Sequence, residues 1–286
     1  MKTAFLFLIY DEILHEDLWH DHFFAGASDS RYSIYIHCKP ELELKSKHYR
    51  EKVLPFCTET EWAKVSLLIA QNLLLSEALK DKANERFVIL SQSCVPVKTF
   101  DHVEKVIYQT DKSFFNERPK EFLRRYRIIE TIFGEHQVYK ASAWCILNRK
   151  HASLLAARDG FFSEQWMRNF SMVFAPEEVA YLSLLRREGL DGELEVVDDL
   201  SYATTFTNWG PHPEIEGWTG YVMPEYKYPR PTDNRVKDYE EISEEEINDL
   251  VGSDSLFARK FKKTCHIAGS AISLKDFLKP HVEGNG

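Results

Sequence analysis

The chain has 286 residues, of which 28% are charged and 44% hydrophobic, so it can bury a core as one large α/β domain or two small ones. A formal net charge of -9 at pH 7 argues against a general nucleic-acid binder, because such a protein presents a basic face to phosphates. The five cysteines include no C-x-x-C pair, which gives no support to a zinc site or a thioredoxin-like motif.

The N-terminal region carries a short apolar run at residues 4–9. It is too short to span a membrane and no small-residue cleavage site follows it, so we interpret it as a buried strand rather than a signal peptide or anchor. No other stretch is predicted to cross a membrane. An odd number of cysteines without a secretory signal is typical of a reducing compartment, so we expect a cytoplasmic protein with no integral membrane segment.

Strand and helix patterns alternate through the first half of the chain. Continuous apolar or β-branched runs predict strands at residues 4–9, Tyr32–His37, 53–56 and 86–90. Apolar spacing predicts helices at residues 16–24 and 61–80. This alternation predicts an α/β fold with a mostly parallel, Rossmann-type central sheet flanked by helices.

Ligands of such sheets bind at the carboxyl ends of the strands. His37 ends the second predicted strand, and Ser91 and Ser93 follow the strand at residues 86–90. We therefore expect these three side chains near a binding site. Trp62 begins the apolar stripe of the helix at 61–80, which makes it either a core residue or a ligand contact.

The second half is less regular, with a strand predicted at residues 138–147 and a helix at 176–187. Glu177 and Glu178 suit the positive end of that helix, and Gly189 follows its last turn. These features predict a helix that begins with two carboxylates.

Towards the C-terminus, Ser243 begins a further short helix, with Glu246 three residues later in a capping-box pattern. The acidic run at 238–246 is interpreted as a solvated surface. Residues 208–234 are rich in Pro, Gly, Trp and Tyr and have no periodicity, which predicts a functional or disordered loop.

Several common functional motifs are missing from the sequence. There is no G-x-x-x-x-G-K-[ST] phosphate loop, no G-x-G-x-x-G dinucleotide loop, no H-E-x-x-H and no G-x-S-x-G. The chain also lacks D-x-D, the short acidic motif with which many sugar-nucleotide enzymes hold a metal. The residues alone therefore predict an α/β enzyme with a site at strand ends.

A set of collinear blocks carries further information, among them YKASAW at 139–144, APEE at 175–178 and LFARKF at 256–261. The others lie at residues 5–8, 32–37, 62–66, 86–96 and 209–213. In this order the blocks resemble the core-2/I-branching enzyme family of glycosyltransferases. That family includes branching β-1,6-N-acetylglucosaminyltransferases, peptide O-xylosyltransferases and a large plant branch. The resemblance runs over nearly the whole chain.

The resemblance implies a single GT-A-like domain over residues 1–286, with a donor-nucleotide half at about 1–115 and an acceptor and catalytic half at about 116–286. It implies inverting transfer of a sugar, with N-acetylglucosamine first among the candidates, from a UDP-sugar to a hydroxyl of a glycan acceptor. No divalent metal or other cofactor is expected. Since the chain starts at the first strand of that domain, we expect a short soluble member of bacterial or viral origin. A UDP-xylose-dependent transferase and a catalytically silent sugar-nucleotide- or glycan-binding module are the alternatives.

The resemblance also implies residue roles. It makes Glu178 the catalytic base and Lys260 a cation that binds the donor diphosphate, with either Lys237 or Arg235 as a second cation. A glutamate at a helix start is usually only a partner of the helix dipole, and a lysine usually a solvated charge, so these roles depend on the resemblance.

The resemblance assigns the remaining site residues to the donor or to the acceptor. The donor-side residues are expected to be His37, Trp62, Ser91 and Ser93. The acceptor-side residues are expected to be Trp209, Ser142 and Trp144. The chain departs from the family pattern at Cys94, where some branches have Asp, at Ala141, which replaces a usual Gly, and in the longer loop at 208–234, which leaves the acceptor open.

Overall fold

The computed structural model describes residues 1–118, 137–156, 164–197, 204–209 and 235–284, together with Glu130. The chain forms two compact units, each assembled from three separate stretches. The first unit comprises Met1–Glu12, Asp29–Ser91 and Asp111–Asp198, and the second comprises Ile13–Ser28, Gln92–Thr110 and Asp199–Gly286. The single domain expected over the whole chain, with its two halves, stays a prediction.

The strands in chain order are β1 Lys2–Leu8, β2 Tyr32–His37, β3 Asn84–Ser91, β4 Val95–Pro96, β5 Ser113–Asn116, β6 Ile146–Asn148, β7 Leu194–Val197, β8 Thr205–Thr207, β9 Tyr239–Ile242, β10 Phe257–Arg259 and β11 Phe261–Ile267. The helices are α1 Glu16–Leu18, α2 Val65–Ala78, α3 Phe100–Ile107, α4 Arg149–Ala156, α5 Glu164–Ser171, α6 Ala180–Arg187, α7 Glu244–Gly252 and α8 Leu274–Val282. A π-helical turn, Trp19–Phe23, continues α1, and short 3-10 turns lie at Arg50–Lys52, Pro176–Glu178 and Asp191–Glu193.

The first unit contains a six-stranded sheet in the order β2-β1-β3-β6-β5-β7. Neighbouring strands are parallel except at β6, which runs antiparallel to both β3 and β5. The predicted α/β class with a mostly parallel central sheet is confirmed. In this register Leu8 pairs with His37 on one side and with Ser91 on the other, so these two predicted site residues lie at the same edge of the sheet, on the two strands that flank β1.

The core of the first unit explains why the N-terminal run is continuously apolar. Residues 4–7 in β1 are fully buried, because the sheet is covered on both faces. Helix α2 packs against β1, β2 and β3 and contributes Leu68, Leu74 and Leu75 to the hydrophobic cluster that contains Ala4 and Leu6. The strands predicted at 4–9, Tyr32–His37 and 86–90 are thereby confirmed, with shifts of one or two residues at their ends.

Two strand predictions in the first unit are wrong. Residues 53–56 form no strand, and only Val53 makes an isolated bridge to Ile36. The strand predicted at 138–147 begins only at Ile146. Its earlier residues are largely buried, which explains the apolar pattern, but their backbone bonds go to irregular segments. For example, the N–H of Ala141 donates to the carbonyl oxygen of Glu178 at 2.7 Å.

Two helix starts also differ from the prediction. Helix α2 begins at Val65 because Ala63 adopts a left-handed conformation with φ of 59°, so Trp62 lies outside the helix. Trp62 is 73% exposed, and its interpretation as a core residue is therefore wrong. Further along, the predicted helix at 176–187 is divided into the 3-10 turn Pro176–Glu178 and α6, which Gly189 follows with φ of 73°.

The second unit contains a small sheet in the order β4-β10-β8 and a parallel pair of β9 with β11. Ser243 caps α7 as predicted, since its hydroxyl oxygen accepts from the backbone N–H of Glu246 at 3.1 Å. Of the loop predicted at 208–234, residues 210–234 lie outside the described residues. Within the described ranges, no helix combines the length and the apolar character needed to cross a membrane.

Candidate active site

Glu178 ends the 3-10 turn Pro176–Glu178, and its carboxylate forms an ion pair with the ammonium group of Lys140. Both side chains are largely buried. The backbone holds the same two segments together, because Ala141 donates to the carbonyl oxygen of Glu178 and Glu178 donates to that of Ala175 at 3.1 Å. A carboxylate fixed in this way has a defined position from which to accept a proton.

Glu177 differs strongly from its neighbour. Burial and the adjacent carboxylate of Glu178 raise the pKa of Glu177 to about 8. Its buried Oε2 atom has no hydrogen-bond partner among the described residues. At neutral pH Glu177 is therefore mostly protonated, and the turn carries one negative charge rather than two.

The segment that supplies Lys140 also carries two of the predicted acceptor residues. The N–H of Ser142 donates to the carbonyl oxygen of Asn116 at 2.8 Å, and the N–H of Trp144 donates to the Ser142 hydroxyl at 3.3 Å. Trp144 is half-buried against the hydrophobic core. The structure thus places Ser142 and Trp144 on the segment that binds the turn of Glu178.

His37, at the carboxyl end of β2, is completely buried. The backbone N–H of Thr58 donates to its Nε2 atom at 3.0 Å, which assigns the proton of the neutral ring to Nδ1. Burial lowers the pKa of His37 to about 4, so the ring is neutral at physiological pH. Its Nδ1 is buried and has no partner within the described part of the chain, so it is a preset hydrogen-bond donor at the strand end.

Trp62 is a predicted donor contact in the first unit, and it lies outside the helix that was expected to contain it. Its ring lies 5.2 Å from that of Phe174 in an edge-to-face arrangement. The carbonyl oxygen of the next residue, Ala63, accepts a hydrogen bond from the N–H of Ala175 at 2.9 Å. The backbone next to Trp62 is therefore hydrogen-bonded, through Ala63 and Ala175, to the turn that carries Glu178.

The second unit gathers the predicted diphosphate residues. Lys260 separates β10 from β11 and is half-buried. Burial, and then the charge of Arg259, lower the pKa of its ammonium group. Its carbonyl oxygen accepts from the N–H of Tyr239 at 2.9 Å, and the next residue, Phe261, donates to the carbonyl oxygen of Ser93 at 3.2 Å. Ser93 and Lys260 thus lie on adjoining segments.

Lys237 has well-defined partners in the same unit. Its ammonium nitrogen lies 3.6 Å from Oε2 of Glu246 and 4.3 Å from the centre of the Tyr239 ring. The Tyr239 hydroxyl donates to Oε1 of Glu246 at 2.6 Å and accepts from the side-chain amide of Asn208 at 2.9 Å. Glu246 is only 4% exposed, so its interpretation as part of a solvated acidic surface is wrong.

The other two residues predicted in this unit lie on the segments next to Lys237. Arg235 is exposed, and Trp209 is half-buried and pairs with Val236 in an antiparallel bridge. The N–H of Lys237 also donates to the carbonyl oxygen of Asn208 at 2.9 Å. The segment of Trp209, the predicted acceptor residue, is therefore paired with the segment that carries Arg235 and Lys237, the two candidates for the second cation.

Sequence reasoning missed four residues of these clusters: Lys140, Phe174, Tyr239 and Glu246. Lys140 lies inside one of the matching blocks, so a signal for it was present. The others gave none, because their roles arise from contacts between segments that are distant in the chain.

A family model described as Core-2/I-Branching enzyme matches residues 3–251 of the chain. The chain belongs to the core-2/I-branching enzyme family. This membership agrees with the GT-A-like fold expected from the resemblance. The matched range includes Glu178, Lys140 and Lys237, and it ends before Lys260.

Individual proteins are less similar. "Glycosyltransferase BC10" of Oryza sativa subsp. japonica is 31% identical over 160 residues, which are 54% of this chain and 40% of that protein. The chain thus spans about two-fifths of the length of this relative. Among solved structures, the galactosyltransferase LgtC in complex with donor and acceptor sugar analogs has a TM-score of 0.41 at 10% identity, covering 94% of this chain and 88% of its own. A197 from STIV has a TM-score of 0.30 at 11% identity, covering 63% and 80%. At these scores neither structure bears on the residues of the site.

Proposed function

We propose that the chain is an inverting, metal-independent glycosyltransferase, which moves a sugar from a UDP-sugar to a hydroxyl group of a glycan acceptor and forms a β-linkage. N-acetylglucosamine is the first candidate for the sugar. The observation that carries the proposal is the fixed carboxylate of Glu178, held by Lys140 and by backbone bonds inside the range matched by the family. A module that only binds sugars has no use for a positioned base.

Inversion requires a direct displacement at the anomeric carbon. The acceptor hydroxyl attacks from the side opposite the leaving UDP, and a base removes its proton as the new bond forms. Glu178 is the proposed base. A carboxylate offers about four lone-pair sites, so the acceptor hydroxyl can bind Glu178 while Lys140 keeps its contact. The protonated Glu177 supports this role, because a second negative charge next to the base is avoided.

The leaving diphosphate gains negative charge as the glycosidic bond breaks. Lys260 and Lys237 are the proposed groups that stabilise this charge, since charge-assisted hydrogen bonds to phosphate are strong in a partly buried site. The lack of a D-x-D sequence supports a mechanism in which these cations replace a metal.

The donor pocket is proposed to use the carboxyl ends of β2 and β3. His37, with its buried Nδ1–H, and Ser91 lie at this edge on the two strands that flank Leu8 of β1. Both are suited to hydrogen bonds with a nucleotide or a sugar hydroxyl.

The test is acceptor-dependent release of UDP. UDP-N-acetylglucosamine, UDP-xylose, UDP-glucose and UDP-galactose are each incubated with a panel of methyl glycosides and disaccharides, and NMR of the product reports its anomeric configuration. We expect release with one donor, a β-linked product, and loss of release in Glu178→Gln. Release with UDP-xylose alone supports the xylosyltransferase alternative. UDP binding without any release identifies a silent module and contradicts the proposal.

A further inference from the structure

Trp62 and Phe174 form an exposed aromatic pair in the first unit. Trp62 is 73% exposed and Phe174 is 44% exposed, with the ring planes at 77°. Large aromatic side chains that remain in water at adjacent positions usually mark a binding site, because their burial against a ligand is favourable.

The backbone at this pair is constrained. Ala63, next to Trp62, and Ala175, next to Phe174, have φ of 59° and 51°, and they are the non-glycine residues with positive φ in the described part of the chain. A left-handed conformation costs an alanine about 1 kcal/mol. The hydrogen bond from Ala175 to Ala63 joins the two strained positions and holds both rings at the surface.

The same bond connects the aromatic pair to Glu178. Ala175 donates to Ala63, and its carbonyl oxygen accepts from the N–H of Glu178. One residue thus links Trp62 on one side to the proposed base on the other. The hydroxyl group that loses its proton to Glu178 must lie within about 3 Å of the carboxylate, so a ligand ring stacked beside this turn belongs to the acceptor.

We propose that Trp62 and Phe174 form a stacking platform for a sugar ring of the acceptor glycan, next to the ring that receives the transferred sugar. The proposal rests on the proposed function, which supplies a glycan acceptor. The flat ring of Trp62 matches the apolar C–H face of a pyranose, while the ring hydroxyls stay in water. Two side chains are too small a surface for a stable protein partner, which needs about 800 Å². The resemblance alone placed Trp62 on the donor side, and the connection through Ala175 favours the acceptor side.

The test compares Trp62→Ala, Trp62→Phe and Phe174→Ala with the wild type. Ile272→Ala, which removes an exposed apolar side chain of the second unit, is the surface control. Saturation-transfer NMR with methyl glycosides and disaccharides, in the presence of UDP, measures sugar binding without turnover. For any pair of donor and acceptor that releases UDP, the apparent KM of each substrate is measured in all variants.

We expect Trp62→Ala to weaken disaccharide binding and raise the acceptor KM about tenfold, as expected for loss of one stacking contact. Trp62→Phe should retain most of the wild-type sugar affinity. Phe174→Ala should also weaken disaccharide binding and raise the acceptor KM, and Ile272→Ala should change neither. A rise in the donor KM instead would place Trp62 on the donor side and overturn the proposal. If the wild type binds sugars but releases no UDP, and Trp62→Ala loses the sugar binding, the platform is supported and the transfer reaction is contradicted. A wild type that binds none of the sugars contradicts both.

Discussion

Lys140 and Glu178 form a largely buried ion pair although they lie 38 positions apart in the chain. The backbone bond from Ala141 to Glu178 brings the same two segments together. Side-chain and backbone contacts therefore act on one carboxylate, which limits its motion before the acceptor arrives. Such preorganisation is the physical basis of the first prediction.

Glu178→Gln should lower turnover about 10²- to 10⁴-fold, which is the usual contribution of a general base, because an amide cannot accept the proton of the acceptor hydroxyl. The affinity for UDP should stay nearly unchanged, since the proposed partner of Glu178 is the acceptor. Steady-state kinetics and UDP titration measure the two quantities. Glu177→Gln is the control and should change turnover by a small factor only. Turnover of Glu178→Gln close to that of the wild type rules out Glu178 as the base.

The second prediction concerns the stability cost of Glu177. Its folded-state pKa of about 8 lies above the usual 4.5 of a glutamate, so the folded protein binds a proton that the unfolded chain releases. The associated stability is fully present below pH 4.5 and is lost as the pH rises to about 8. Glu177→Gln removes this titration. It should increase the free energy of unfolding, relative to the wild type, by about 1–3 kcal/mol more at pH 9 than at pH 5. Urea unfolding at both pH values measures the difference, and an equal effect at both would contradict the pKa.

The parts of the fold that the sequence predicts well are those determined by local patterns. β1, β2 and β3 follow from continuous apolar runs, and Ser243 begins α7 because its side chain caps the next turn. The carboxyl ends of β2 and β3 lie at one edge of the sheet, on either side of Leu8, as a parallel sheet requires.

The parts that the sequence does not predict depend on contacts between distant segments. Trp62 matches a helical stripe, but Ala63, which accepts a hydrogen bond from Ala175, adopts a left-handed conformation that leaves Trp62 outside the helix. Glu246 sits in an acidic run that suggests a surface, and its burial follows from the contacts with Tyr239 and Lys237. Pattern rules carry no information on such pairings.

The third prediction separates the two candidates for the second cation. Lys237 is held by Glu246 and Tyr239, and Tyr239 in turn donates to the backbone of Lys260. Because these contacts hold its charge in place, Lys237→Met should raise the Kd for UDP about tenfold, as expected for one charged hydrogen bond. The exposed Arg235 should contribute less to UDP binding, and Arg235→Gln should change the Kd by no more than about threefold. A larger rise in Kd for Arg235→Gln than for Lys237→Met would make Arg235 the second cation.

Lys237→Met should also destabilise the protein by about 2 kcal/mol, because it removes a cation 3.6 Å from the buried carboxylate of Glu246. The double variant Lys237→Met/Glu246→Gln is the matched control. An amide at position 246 can still accept from the Tyr239 hydroxyl, so stability should recover while UDP affinity stays weak. Recovery of both would mean that Lys237 acts on stability alone.

The last prediction is independence from divalent metal. Negative charge on the leaving diphosphate must be stabilised, and the chain lacks the D-x-D motif with which many sugar-nucleotide enzymes hold a metal. Transfer should therefore survive excess EDTA. Loss of activity in EDTA that Mn²⁺ restores would contradict fixed cations as the stabilising groups.

Lys260 is the residue on which this last prediction depends most. Lys260→Ala should weaken UDP binding and slow transfer together, because the proposed contact of the ammonium group with the diphosphate exists in the ground state and strengthens in the transition state, where the negative charge grows. Lys260→Arg keeps the charge and should retain part of the UDP affinity and part of the transfer rate. Since burial and Arg259 lower the pKa of Lys260, UDP affinity should fall as the pH rises through that lowered value, where the ammonium group loses its proton. Titrations of UDP from pH 7 to pH 10 measure this decline, which should be absent in Lys260→Arg. The same decline in the arginine variant would show that another group titrates.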